Sequence, residues 1–119
     1  MKNNNFVEVC IYEVKPDKTV EFEALVEMVA EHHRQFSGVV DVRYIKRTHR
    51  QQDFKGAKEG EPPIKLTRIP KQVTYVLYWE LDGPETHGLA TKSGLRRFFK
   101  EFNRYLMKPP KIILGERIE

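Results

Sequence analysis

The chain has 119 residues, 39% of them hydrophobic and 32% charged, enough for one domain with a real core and too few for two ordinary ones. That balance excludes a disordered chain, and the longest uninterrupted apolar run, Tyr75 to Trp79, is far too short to cross a membrane. The formal net charge is +4, yet eight basic residues against three acidic ones fall between Lys46 and Gln72, so the basic character belongs to one segment and the rest is close to neutral.

The opening Met1-Lys2-Asn3-Asn4-Asn5 holds no apolar stretch that would serve as a signal peptide. Phe6 to Val14 (FVEVCIYEV) is β-branched and aromatic and reads as a strand. Cys10 lies on it and is the only cysteine. An internal disulfide is therefore impossible, which fits a reducing cytoplasm and a buried, inert thiol. Pro16-Asp17 breaks the strand and opens a helix. From Thr19 to Phe36 the residues Phe22, Leu25, Val26, Val29, His33 and Phe36 recur at helical spacing on one face. Ser37-Gly38 stops that helix. Val39 to Thr48 is a second strand.

Residues 47 to 72 are too long for an ordinary hairpin loop. Gly56, Gly60, Pro62, Pro63 and Pro70 argue against a helix there, while Ile64-Lys65-Leu66 reads as a short extended piece. A long basic loop of this kind is a candidate lid for an acidic ligand, and equally a solvated loop. Val73 to Leu81 (VTYVLYWEL) is the clearest strand of the chain. Asp82-Gly83-Pro84 starts a second helical region, expected to be interrupted around Thr91 to Gly94. An amphipathic run with Leu95, Phe98, Phe99, Phe102 and Leu106 on one side then ends at Pro109-Pro110. Lys111 to Ile118 is the last strand.

The order β-α-β, long loop, β-α-β predicts an α+β fold, ferredoxin-like, with an antiparallel sheet, as one domain over 1–119. Two helices cover one face of such a sheet, and the other face should then be polar. Here Val7, Val9 and Ile11 occupy one face of the first strand while Phe6, Cys10, Tyr12 and Val14 occupy the other. Val76 and Tyr78 likewise oppose Val73, Tyr75, Leu77, Trp79 and Leu81. The uncovered apolar face predicts a homodimer.

Tyr75-Val76-Leu77-Tyr78-Trp79-Glu80 resembles the end of the third strand in the antibiotic biosynthesis monooxygenase family, where that strand typically closes on Trp-Glu. Glu85-Thr86-His87-Gly88-Leu89-Ala90 is similar to the family's acidic-Ala-His-Leu element, and Phe98 to Leu106 followed by Pro109-Pro110-Lys111 resembles its helix, Pro-Pro and last strand. In the first half, Val14-Lys15-Pro16-Asp17-Lys18 with Phe22 looks like its strand–helix junction. Phe36-Ser37-Gly38-Val39 looks like its Phe-Pro-Gly turn with Ser37 in place of Pro. The resemblance covers nearly everything outside 47–72, and its motifs are mostly fold-determining.

It implies a dimeric α+β barrel and, as activity, cofactor-free oxygenation of an aromatic or phenolic substrate, with no cofactor of the protein's own. The heme-degrading branch carries an Asn on the first strand and a Trp and a His on the second helical region. This chain has no Asn on that strand past Asn5, and offers Leu89 and Asn103 instead, which points away from heme. Quinone-forming members place an Asn four residues before the strand Trp, where this chain has Tyr75.

The catalytic candidates are His87, Trp79 and Tyr75. Tyr75 and Trp79 are four apart on one strand and point to the same side. A phenol hydroxyl and an indole N–H in an apolar cavity can orient a substrate phenol and stabilise its anion; both are also ordinary core aromatics. His87, in the first helical turn, is placed to act as a base beside a helix N-terminus that favours the resulting anion, or is a surface residue of the capping turn. Tyr12, Tyr44 and Leu77 are the substrate-binding candidates. His32 and His33 are about 100° apart on their helix, without partners at ligand spacing, so no metal site is expected and His33 reads as completing a core face. A non-enzymatic ligand-binding dimer fits the same cavity. A nucleic-acid module of this topology would need a Lys/Arg-Gly-aromatic motif on its third strand, and the chain has none.

Overall fold

A computed structural model, described for residues 4–68 and 70–119, orders the chain as strand β1 (Phe6–Val14), a short turn of tight helix (Pro16–Lys18), helix α1 (Thr19–Arg34) and strand β2 (Val39–Lys46). Strand β3 (His49–Arg50), helix α2 (Phe54–Lys58) and strand β4 (Ile64–Lys65) follow, then strand β5 (Val73–Leu81), helix α3 (Pro84–Tyr105) and strand β6 (Lys111–Glu116). The four long strands form one antiparallel sheet in the order β2-β5-β1-β6. This is the ferredoxin-like α+β arrangement, with α1 and α3 packed together on one face.

Alternation along β1 sets the two faces. Glu8, Cys10, Tyr12 and Val14 are buried and Val7, Val9 and Ile11 are not. In β5 the buried Val73, Tyr75, Leu77, Trp79 and Leu81 stand in register with them, Glu8 opposite Trp79 and Cys10 opposite Leu77. Helix α1 answers with Phe22, Leu25, Val26, Val29, Ala30 and His33, the row expected from its spacing. Its chain reversal uses Gly38, whose φ of +95° is a left-handed conformation, and a Cβ there would strike the Asp82 carboxylate. Because successive strand residues point to opposite faces, Trp79 enters the core while Glu80 lies on the other face. There it accepts hydrogen bonds from Asn5 Nδ2 at 2.6 Å and the Tyr78 hydroxyl at 2.9 Å.

Two expectations are corrected. Helix α3 runs unbroken through Thr91 to Gly94, because its glycine faces α1: a Cβ at position 94 would lie 2.8 Å from His33 Nε2. The small residue serves a close helix approach and does not interrupt the helix. The loop 47–72 does contain a helix, the single turn α2. Asp53 caps it, its carboxylate accepting from the Gly56 N–H at 2.7 Å, and Gly60, with φ of +78°, lets the chain leave it. The extended piece at Ile64–Lys65 is present and pairs with His49–Arg50. Among the described residues no helix is long and apolar enough to cross a membrane.

Candidate functional site

Between the sheet and the two helices lies a cavity of about 190 Å³. Its floor is the helix-facing side of the sheet: Glu8, Cys10 and Tyr12 from β1, Leu77 and Trp79 from β5, Tyr44 from β2. Its roof comes from His33 on α1 and from Leu95, Phe99, Phe102 and Asn103 on α3. The aromatic rings are locked by one another, Tyr12 stacking on Phe102 with centroids 5.5 Å apart and facing Tyr44 at 6.3 Å.

At one end sits a cluster that four separate elements build. The His33 imidazole lies flat on the Trp79 indole, centroids 4.1 Å apart and 8° between planes, in the space that Gly94 leaves open. His87 tilts against the same indole at 5.0 Å. Its Nε2 is 2.7 Å from Glu8 Oε1, a bond in which the imidazole N–H donates to the carboxylate. Thr91 Oγ1 stands 3.5 Å from the same nitrogen. Both ring nitrogens of His33, Trp79 Nε1 and the Tyr44 hydroxyl are buried and have no protein hydrogen-bond partner. Such atoms are normally satisfied, and leaving one bare costs about 1–3 kcal/mol.

Burial controls the titration of these groups. Burial first, and then the charges of His32 and His87, lower the pKa of His33 to about 4. Burial raises the Cys10 thiol to about 11 and holds the Tyr12 and Tyr44 phenols well above their ordinary value. At neutral pH His33 is a neutral ring and the two tyrosines are hydroxyls.

The structure therefore brings Trp79, Tyr12, Tyr44 and Leu77 together in one cavity. His87 is at the cluster but stands behind Glu8 and Trp79, without lining the cavity itself. Tyr75 is apart. Its hydroxyl donates to Glu23 Oε2 at 2.5 Å, and its ring lies outside the cavity wall, against Phe22 at 4.7 Å. The basic loop contributes no wall residue either, among the described residues. The cavity lies under the helices of a single chain. His33 was legible only as a buried helix position. Glu8 carried a signal that spacing alone would have exposed, an acid in phase with the inward Phe6, Cys10 and Tyr12. His32, one residue away, instead bonds Ser93 Oγ at 2.8 Å. Among the described residues no group of three or more His, Cys, Asp or Glu side chains is disposed to hold a metal.

The sequence matches no protein-family model and no curated protein. Among solved structures, a Nitrosomonas europaea protein proposed to be an antibiotic biosynthesis monooxygenase superposes with a TM-score of 0.68 at 15% identity, over 99% of this chain and 94% of that one. A conserved protein from Methanosarcina mazei Go1 gives 0.68 at 16% identity over 97% and 94%. The cofactor-independent oxygenase SnoaB from Streptomyces nogalater gives 0.67 at 13% identity over 98% and 95%. The fold of this chain is thus that of the antibiotic biosynthesis monooxygenases.

Proposed function

We propose that the chain is a cofactor-independent monooxygenase, or a related small-molecule enzyme, that acts on an aromatic hydroxy compound held between sheet and helices. The observation that carries this reading is the apolar cavity into whose walls His33, Trp79 and Tyr44 bring polar atoms that no protein group satisfies. A substrate supplying complementary donors and acceptors would satisfy them. Among the superposing structures is one titled a cofactor-independent oxygenase, which supports the reaction class.

The chemistry asks little of the protein beyond orientation and charge. Loss of a proton makes the substrate electron-rich. Oxidation of a ring methylene then takes one oxygen atom from O₂ and releases the other as water (CH₂ + O₂ → C=O + H₂O), with every electron drawn from the substrate. Trp79 Nε1–H and the Tyr44 hydroxyl are donors suited to the developing oxyanion. Tyr12, Tyr44 and Leu77 hold the ring, and His87 acts through Glu8. The working unit in this reading is a homodimer formed through the uncovered sheet face.

The second reading is ligand binding without turnover. It is favoured by Tyr75 and His87 being engaged with Glu23 and Glu8, so that of the three catalytic candidates Trp79 alone lines the cavity. Oxygen consumption separates the two. With a dihydroxynaphthalene, and no added flavin, metal or nicotinamide, the protein should accelerate O₂ uptake, and Trp79→Phe should slow it at least tenfold by removing the indole donor. Quenching of Trp79, the only tryptophan, without any O₂ uptake would establish the binding reading instead.

A further inference from the structure

The cavity is lined by one acid, and it has a half-used carboxylate. Glu8 is 7% exposed and is the only Asp or Glu in the wall. Its Oε1 is taken by His87 at 2.7 Å, while among the described residues Oε2 has no hydrogen-bond partner. The groups around it are His87 and Thr91 from α3, His33 from α1, Trp79 from β5, Tyr44 from β2, and Cys10 and Tyr12 from its own strand. Across the sheet β6 presents the apolar Leu114. Among the described residues no lysine or arginine stands in this wall, so none of them neutralises an anionic ligand there.

The volume narrows the ligand further. At about 190 Å³ the cavity exceeds the roughly 150 Å³ that holds benzene, and falls below the roughly 300 Å³ at which drug-sized ligand pockets begin. One or two fused rings fill it, and a third would project from its open side, where Leu95, Phe99 and Ile112 are about half exposed.

We propose that Glu8 is the residue that receives the hydroxyl hydrogen of a neutral one- or two-ring phenol in this cavity, and that His87 is the positioning residue that holds its carboxylate in place. The inference rests on the ligand-binding part of the function proposed above and names the substrate class of that site. In the bound state the phenol O–H donates to Glu8 Oε2. When the proton moves, Glu8 becomes a carboxylic acid and the substrate a phenolate, so the total charge of the cavity is unchanged. Trp79 Nε1–H and the Tyr44 hydroxyl are unpaired but buried in the wall, and they reach the new oxyanion only by a shift of their side chains. A ligand that arrives already ionised meets the Glu8 carboxylate as a like charge in an apolar wall and is rejected.

Equilibrium dialysis of the full chain against four probes tests this: 1-naphthol, its methyl isostere 1-methylnaphthalene, 1-naphthoate and the three-ring 1-anthrol. The wild type should bind 1-naphthol about tenfold or more tightly than 1-methylnaphthalene, the increment of a hydrogen bond to a charged acceptor. It should exclude 1-naphthoate, and bind 1-anthrol at least tenfold more weakly than 1-naphthol. Glu8→Gln, nearly isosteric, should lose most of the hydroxyl preference and admit 1-naphthoate. His87→Leu should lose the preference too, and His87→Gln, which keeps a donor, should restore it. Restoration by the glutamine marks positioning, since a merely structural histidine would not be rescued by it. Equal affinity for 1-naphthol and 1-methylnaphthalene, or an undiminished preference in Glu8→Gln, overturns the proposal. Full preference in His87→Leu overturns its positioning half, and tight 1-anthrol binding overturns its size limit. Discrimination without O₂ uptake would leave this inference standing and remove the oxygenase reading. O₂ uptake indifferent to Glu8→Gln would do the reverse. Binding of none of the four removes both.

Discussion

His33 lies against Trp79 at the price of a ring that stays neutral down to about pH 4. Its pKa in the fold is about 4 against an ordinary 6.5, chiefly through burial, so the unfolded chain binds a proton that the folded chain refuses. The sign follows directly. Above pH 6.5 the ring is neutral in both states and the full stability is present. Between 6.5 and about 4 the unfolded state gains a proton and stability falls, by about 3 kcal/mol in total. Below about 4 both states are protonated and the dependence ends. The carboxylates of Glu23 and Glu80 are held below their ordinary 4.5, mainly by hydrogen bonds from Tyr75 and Asn5. Their contribution is present above 4.5 and is lost only as pH falls further, so between 6.5 and 4.5 these two carboxylates do not mask the histidine. Urea titrations across that interval should show wild-type stability declining with acid and His33→Gln nearly flat. Parallel slopes in the two proteins would mean that His33 is solvated, and its place in the cavity wall would then be in doubt.

Strands β1, β2, β5 and β6 were readable in the sequence as β-branched and aromatic runs between breakers, and the face of α1 because its apolar residues recur at a period near 3.6. Local period also carried Tyr12, Tyr44, Leu77 and Trp79 to the inward face. It could not tell that Tyr75, in phase with Trp79, would be claimed by Glu23, since that contact joins residues 52 positions apart. Nor could it pair Glu8 with His87, which are 79 apart, or explain Gly94 without His33 opposite. These depend on how α1 and α3 cross the sheet, which no single segment encodes. The segment 47–72 was misread for a related reason: glycine and proline counts describe average breakers, whereas Asp53 caps one turn that tolerates Gly56. That excursion is self-contained. The bonds Gly56 to Asp53, Ala57 to Asp53, Glu59 to Lys55 and Gln52 to Glu61 all fall inside it, and Arg50 pairs directly with Ile64 at its base. Replacing residues 51–63 by Asn-Gly should therefore close a two-residue hairpin. Affinity for 1-naphthol should stay within about twofold and melting should remain cooperative. A large loss of affinity in that variant would mark the loop as a lid.

The whole molecule is a two-layer slab, 43 × 40 × 20 Å, with a radius of gyration of 16.3 Å, against about 13–14 Å for a compact chain of this length. Helices close one side of the sheet only. On the other, Val7, Val9, Ile11, Val76 and Tyr78 are half-buried at best, and Ile45 and Ile113 are 56% and 51% exposed. Four strands at about 4.8 Å spacing and roughly eight residues at 3.4 Å give a face of about 500 Å², a large share of the roughly 800 Å² that each partner of a stable complex contributes. Every residue of the edge strand β6 is exposed as well, and uncovered edges of this kind associate unless something shields them. A second copy placed sheet to sheet covers the apolar face and leaves each cavity intact under its own helices. Sedimentation equilibrium at micromolar concentration should accordingly give about twice the 14.1 kDa of one chain. The double variant Ile45→Asp, Ile113→Asp puts two charges on each apposed face and should sediment as a monomer, because burying unpaired carboxylates costs more than the apolar contact returns. The variant's fold is checked by its retained affinity for 1-naphthol, since neither isoleucine touches the cavity. A wild type that stays monomeric removes the sheet-to-sheet dimer. A double variant that still doubles its mass moves the interface elsewhere, to the apolar side chains Leu95 and Phe99 that α3 leaves exposed.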